Sequence, residues 1–352
     1  MNSCPAFFKE AAEERASANS SICKENRRIE FNMLDIKTNA SAASYFLLLE
    51  FSEVRDLQIM HFFVFLTLYL ATVTGNMLII FAIVLDHHLH TPMYLFLMNL
   101  AVVDIGSVSA TIPKSMLNAF LNTRSISYFG CVAQVFFLFF FLASDFVLLT
   151  IMAHDRYVAI CNPLRYETIM NRISCMQMMV SAWISGLLYG IIHTGSTFAI
   201  SFCSNIVDQF FCEIPQLLKL SCTDLYLVEI GVLVFSMSTV FGCFTFIILT
   251  YVKIFTAVLK IPTMQGRQKF FSTCLPHLMI VSMYICSGVL AYITSVANSP
   301  SDLRLVFGVM YSLVPPMMNP LIYSLRNKEI KVALRKMLNL KDSSKNPLSD
   351  HQ

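Results

Sequence analysis

Four polar residues lie inside long apolar runs of this chain: Asn76, Asp104, Asp145 and Asn319. An acid in hydrocarbon is costly, so such residues normally face a bundle interior and pair with each other, with amides or with a cation. Their spacing is informative. Asp145 lies ten residues before Asp155, which is about 15 Å along a helix. Asp104 is twelve residues after Pro92, Asn76 ten before Asp86 and Asn319 seven before Arg326. All four therefore fall at a similar depth on four different segments. Two chemistries fit: a hydrogen-bonded cluster that only joins helices, or a site where two acids share a proton or a cation. A second constellation is Asp155, Arg156 and Tyr157, which closes the apolar run from Cys131 to Met152. A charge there either marks the edge of the bilayer or stands ready for a partner, because it can reach out of the hydrocarbon. Pro163 breaks the helix just below it.

The elements that must carry these residues follow from composition. The chain has 352 residues, of which 56% are hydrophobic and only 13% charged, with 30 Phe. Together with a mean hydropathy of +0.63, this predicts a helical membrane protein that crosses the bilayer repeatedly. A nucleic-acid partner has no signature here. Hydropathy gives seven spans, at 57–84, 93–118, 129–153, 176–198, 226–252, 271–295 and 303–324. The fold class expected is an all-α seven-helix bundle, arranged as a tail over 1–56, a membrane domain over 57–325 and a C-terminal segment over 326–352. Basic residues fix the orientation. Arg165 and Arg172 follow span three, Lys253, Lys260, Arg267 and Lys269 separate spans five and six, and Arg326, Lys328, Lys331, Arg335 and Lys336 follow span seven. These segments share one side, which the positive-inside rule makes cytoplasmic, with the N-terminus outside. Residues 328–340 set Ile330, Val332, Leu334, Met337 and Leu338 among bases, the pattern of an amphipathic helix on the inner leaflet. The first fifty residues contain no apolar run suited to a cleaved signal, so span one is expected to direct insertion. They read as an exposed tail with sugar-acceptor triplets at Asn39 and Asn19.

Cys131 opens span three on the outer side, and Cys203, Cys212 and Cys222 lie in the long segment between spans four and five. Four cysteines facing an oxidising compartment can pair in three ways, and spacing does not choose among them. A zinc site is the lesser alternative, because neither a CxxC nor a nearby His pair accompanies them.

The ordered motifs add a resemblance. MAHDRYVAIC followed by NPLRY (Met152 onward), Gly75-Asn76, PMYLFLMNLAVVD (Pro92 to Asp104), LTYVKIF around Tyr251, KFFSTCLPHL (Lys269 to Leu278) and PMMNPLIYSLRN (Pro316 to Asn327) occur in the order found in odorant receptors. The chain resembles that branch of the rhodopsin-like G-protein-coupled receptors from its first span to its seventh. The residues before Met33 extend beyond that family's short tail, and Asn39 sits where its sugar acceptor is usual. The resemblance implies the pairing Cys131–Cys212 and Cys203–Cys222, and a sodium ion at Asp104, Asp145 and Asn319 in the resting state. It implies that Asp155 restrains Arg156, and that Arg156, Tyr251, Asn319, Pro320 and Tyr323 rearrange when a stimulatory heterotrimeric G protein engages beside Tyr157 and cyclic AMP rises. Two departures from the family stand out. His154 replaces a usual Tyr beside the acid–base pair and would make activation mildly pH-sensitive. Ile285 replaces a Tyr at the base of the ligand pocket, so a hydroxyl is expected to be missing.

The ligand expected is a small volatile. Leu138, Phe139 and Leu142 share a face of span three, and amine receptors of this fold carry an acid at the position matching Leu138. Phe235, Ser236, Thr239, Gly288, Val289, Tyr292, Val309 and Ser312 add apolar walls and a few hydroxyls from spans five to seven. Such a lining suits a neutral, largely apolar molecule, since an unpartnered ammonium would be costly to bury. Neither an enzyme nor a cofactor is expected, because the sequence lacks HExxH and GxSxG. The alternative function is an ion- or proton-coupled transporter using Asp104 and Asp145, against which stand the odd span number and the absence of evident inverted repeats.

Overall fold

The structure is a computed structural model, and it describes residues 45–52, 54–222, 226–297 and 299–343. Among the described residues, seven helices are long and apolar enough to cross a membrane: α1 (Arg55–Leu85), α2 (Pro92–Leu121), α3 (Tyr128–Cys161), α4 (Arg172–Phe198), α5 (Tyr226–Leu259), α6 (Met264–Val296) and α7 (Ser301–Arg326). An eighth, α8 (Lys328–Ser343), follows the last span. The all-α seven-helix architecture expected from hydropathy is the one found. Several helices outrun their hydropathic spans. α3 continues eight residues past Ala153, because backbone hydrogen bonds persist where apolar side chains end. It stops where Pro163 has no N–H to offer, after Asn162 donates the last bond to the Val158 carbonyl at 3.0 Å. Ser127 Oγ accepts from Gly130 N at 3.1 Å and Asn171 Oδ1 from Ser174 N at 2.9 Å, capping the starts of α3 and α4.

Two close approaches set the bundle's shape. A Cβ added at Gly186 of α4 would lie 2.5 Å from the Phe140 carbonyl of α3, and one at Gly190 would lie 3.0 Å from that of Phe136. Two glycines four apart thus make the groove into which α3 fits. At Gly75 of α1, an added Cβ would meet Pro320 Cγ of α7 at 3.1 Å. The adjoining Asn76 donates through Nδ2 to the Pro316 carbonyl at 3.1 Å. That carbonyl would ordinarily accept from residue 320, and a proline cannot donate. The Gly75-Asn76 pair therefore admits the proline and satisfies the acceptor it orphans.

The end bearing Cys131 carries a small sheet. β1 (Tyr45–Leu48) pairs antiparallel with β2 (Ser125–Ser127) and parallel with β3 (Ile206–Val207). Residues 45–51 are consequently not an exposed tail as expected. Phe46 and Leu48 are buried against Cys131, Val135, Cys212 and Leu217, because alternation along a strand turns both to one face. Fully burying a Phe contributes roughly 1.5–3 kcal/mol, which overrides the polar character of the segment before it. The disulfides Cys131–Cys212 and Cys203–Cys222 are both present, with Cα separations of 5.6 and 5.1 Å. Asn39 and Asn19 lie outside the described residues. At the other end, α8 buries Ile330 and Ala333. It is held by Tyr94, whose hydroxyl donates to Glu329 at 2.6 Å, and by a Lys336–Asp86 ion pair at 3.5 Å.

Candidate functional site

The polar residues singled out in the sequence fall into three levels along the bundle. At the Arg156 end, Asp155 and Arg156 are both buried. Tyr166, in the short helical turn after α3, donates to Asp155 Oδ1 at 2.8 Å. Around the Arg156 guanidinium stand Tyr251 of α5, Tyr323 of α7, Cys274 of α6 and its neighbour Asp155. The Tyr251 hydroxyl is 2.9 Å from His277 Nδ1, and His277 Nε2 is 2.9 Å from the Leu149 carbonyl. A carbonyl only accepts, so Nε2 is the donor and Nδ1 accepts from Tyr251. One imidazole thus links α5, α6 and α3. Tyr157 is half-buried, with Lys253 Nζ 5.7 Å from its ring centre. His154 turns to α5, its ring 6.3 Å from that of Phe246. Tyr166 and His277 carried no role in the sequence reading; burial beside a charge, the signal that finds them, exists only in three dimensions.

The middle level holds the intramembrane acids. Asn319 Nδ2 donates to both Asp104 oxygens, at 3.0 and 2.8 Å. Asp145 Oδ2 accepts from the Tyr284 hydroxyl at 2.7 Å. The hydroxyl expected to be missing with Ile285 is therefore supplied from one residue earlier. The 100° turn per residue of a helix sends Tyr284 toward α3 and leaves Ile285 packed on the apolar core. Among the described residues, three side-chain oxygens at this level are buried without a hydrogen bond: Asp145 Oδ1, Asn319 Oδ1 and Asn76 Oδ1. A cluster of buried acceptors beside two acids has the donor chemistry of a small hard cation's site.

At the Cys131 end, Leu138 is buried with Val108, Ile112, Phe211 and Leu305, and Val309 packs on the same group. Phe139 adjoins this cluster and stacks on His193 of α4, ring centres 4.5 Å apart. Leu142 is partly buried against the core nearer the middle. Gly288 and Tyr292 are half-buried, whereas Phe235, Thr239 and Val289 are exposed. The Thr239 hydroxyl returns to its own helix, donating to the Phe235 carbonyl at 2.9 Å. The structure thus brings Leu138, Phe139 and Val309 together and leaves the α5 and α6 residues apart from them. His193, buried and bonded to Ser236 at 2.7 Å, was not singled out by the sequence.

Over this level lies the disulfide-tethered loop, which buries a further acid, Glu213. Glu213 Oε2 accepts from Gln209 Nε2 at 3.2 Å and from Ser295 Oγ of α6 at 3.4 Å. Gln209 Nε2 also donates to the Arg304 carbonyl of α7 at 3.2 Å. Arg304 pairs with Asp208 at 3.4 Å and donates to the Ser299 carbonyl. Burial pushes the Glu213 carboxyl up to about 7, against the hydrogen bonds from Gln209 and Ser295 that pull it down.

The family model described as olfactory receptor matches residues 65–341. The chain is 46% identical to olfactory receptor 14A16 of Homo sapiens over 297 residues, covering 84% of this chain and 96% of that relative. It is 47% identical to olfactory receptor 14C36 of Homo sapiens, over 85% of this chain and 96% of the relative. With olfactory receptor 1G1 of Gorilla gorilla gorilla the identity is 43%, over 85% of this chain and 96% of the relative.

Proposed function

The chain belongs to the olfactory receptor family, and from that premise we propose that it binds a small, neutral, largely apolar volatile inside the bundle and activates a stimulatory heterotrimeric G protein, raising cyclic AMP. It is a multi-pass membrane protein and a receptor rather than an enzyme, with a G protein as the partner class. In this reading it sits in the plasma membrane with its N-terminus outside, and Asn39 carries a sugar. The observation that supports the reading best is the join at the Arg156 end. Side chains from α3, α5, α6 and α7 meet around one buried cation, so a shift of any one helix disturbs all of them.

The odorant is placed against Leu138, Phe139, Leu142 and Val309, with the half-buried Gly288 and Tyr292 as the α6 side of its lining; Phe235, Thr239 and Val289, on the exposed side of their helices, would join it only after a rotation of α5 and α6. Apolar contact at Leu138, itself only 3% exposed, offers no partner to an ammonium and supports a neutral ligand. Pressure of the ligand on α6 would be felt at Tyr284 and Asp145, and below them at His277 and Tyr251. Release of Arg156 and rearrangement of Tyr323 beside Pro320 would then open the face that includes Asp155 and Tyr157 to the G protein. In the resting state Asp104, Asp145 and Asn319 would hold a sodium ion, whose charge offsets the two acids. The buried unpartnered oxygens there support this.

The test is a cyclic AMP assay in cells that co-express the stimulatory G protein, challenged with neutral alcohols, ketones, esters and terpenoids. Activation by several of these is expected, and a response confined to protonated amines or carboxylates would overturn the pocket reading. Arg156→Ala is expected to reach the cell surface and not signal; normal responses at matched surface levels would remove its role.

A further inference from the structure

His193 is 6% exposed and sits where α3, α4 and α5 meet. Its ring lies nearly parallel to Phe139, at 18° and 4.5 Å between centres, with Tyr189 at 4.5 Å on another side. Its Nε2 is 2.7 Å from Ser236 Oγ. The hydrogens in this pair can be assigned. Ser236 Oγ is also 2.8 Å from the Val232 carbonyl of its own helix. A carbonyl has no hydrogen to give, so the single hydroxyl hydrogen of Ser236 points to Val232. The hydrogen between Ser236 and the ring must then come from Nε2. None of the contacts of His193 is a carboxylate that would hold a second proton on the ring. In a neutral imidazole with its proton on Nε2, Nδ1 is a bare lone pair. Among the described residues no hydrogen bond uses that atom, and it is not one of their sealed, unsatisfied polar atoms. The ring stacked on Phe139 therefore carries an acceptor of fixed tautomer that the protein neither bonds nor seals off.

We infer that His193 Nδ1 accepts a hydrogen bond from the odorant, so that the receptor selects molecules bearing a hydroxyl donor, alcohols and phenols, over ketones, aldehydes, esters and ethers of the same shape. The inference rests on the reading that Phe139 lines the odorant site, and it narrows the ligand class. A carbonyl or ether oxygen presented to Nδ1 sets lone pair against lone pair and leaves both unsatisfied, whereas a hydroxyl satisfies both. The Ser236 hydroxyl acts as a positioning group, since it fixes which ring nitrogen faces the guest.

The experiment compares matched odorants on the full-length receptor by cyclic AMP dose–response: menthol against menthone, octanol against octanal and methyl heptyl ether, benzyl alcohol against benzaldehyde. In the wild type the alcohols are expected to act at roughly tenfold lower concentration than their partners, the size of one well-made neutral hydrogen bond. His193→Phe keeps a ring stacked on Phe139 and is expected to bring the ratio close to one while an ether or ketone still activates. Ser236→Ala removes the acceptor for Nε2–H, frees the ring to exchange tautomers, and is expected to shift the ratio toward carbonyl compounds. A merely structural role for Ser236 would lower all responses alike and leave the ratio unchanged. Neutral odorants that activate the wild type with no preference for the alcohol, or a preference that survives His193→Phe, overturn the role of His193 and leave the odorant reading standing. Activation only by amines or carboxylates overturns both.

Discussion

Two buried acid clusters in this protein are built in opposite ways. The middle cluster hangs Asp104, Asp145, Asn319 and Tyr284 on four continuous helices, so the depth of each group is fixed by helical rise. The outer cluster hangs Gln209 and Glu213 on a loop and reaches α6 through Ser295 and α7 through the Arg304 carbonyl and Tyr311. What holds that loop is the Cys131–Cys212 bond one residue before Glu213, together with Gln134 of α3, which accepts from Cys212 N at 2.8 Å. The difference teaches that a buried carboxylate is a coupling device between whichever elements share it. The inner one couples spans to spans, and the outer one couples the lid to the two helices proposed to move with the ligand.

Breaking the tether should have the largest effect. Cys131→Ser and Cys212→Ser are each expected to abolish surface expression, and the double variant should be no worse than either, because both lose the same bond. A disulfide of this kind contributes about 2–4 kcal/mol. Surface immunostaining of the three variants checks this, and clearly additive losses would argue that the residues act separately.

The outer cluster should also titrate. Glu213 is raised from 4.5 to about 7 by burial, so the docked lid holds a proton that an undocked one releases earlier. Docking is therefore strongest below 4.5 and weakens as pH rises from there to about 7, by about 3 kcal/mol at full ionisation. The thermal stability of the purified receptor should fall across that window, and Glu213→Gln should flatten the profile. An unchanged slope in the variant would assign the titration elsewhere.

The inner cluster should respond to a single hydroxyl. Tyr284→Phe leaves Asp145 without its bond, at a cost of about 1–3 kcal/mol, and is expected to raise basal cyclic AMP by loosening α6 from α3. Measured without sodium, Asp145→Asn added to it should change little more, since both substitutions remove the Tyr284–Asp145 bond. Basal activity that adds across the double mutant would separate the two residues.

The smallest effect expected is at Gly308. An added Cβ would sit 2.7 Å from Gln209 Nε2, yet that atom ends a flexible side chain. Gly308→Ala should therefore weaken lid docking by about 1 kcal/mol, seen as a modest fall in thermal stability that Gln209→Ala removes.

The sequence by itself determined the seven crossings, the α8 pattern and the middle cluster. Apolar runs must form helices in a bilayer, and an acid such as Asp104 or Asp145 stands out against them at a depth that counting residues gives. Asn76, Asp104, Asp145 and Asn319 were legible for that reason. Glu213 was not, because an acid in a loop is unremarkable until the loop is folded under a disulfide and its neighbours remove the water. Only the tertiary structure decided that Phe46 and Leu48 of the supposed tail are core, since a short strand is stable only once its partners are in place. It also decided the rotational register of α6. One helical step separates the apolar Ile285 from Tyr284, whose hydroxyl meets Asp145, and hydropathy along the chain does not specify which of two adjacent residues turns toward α3.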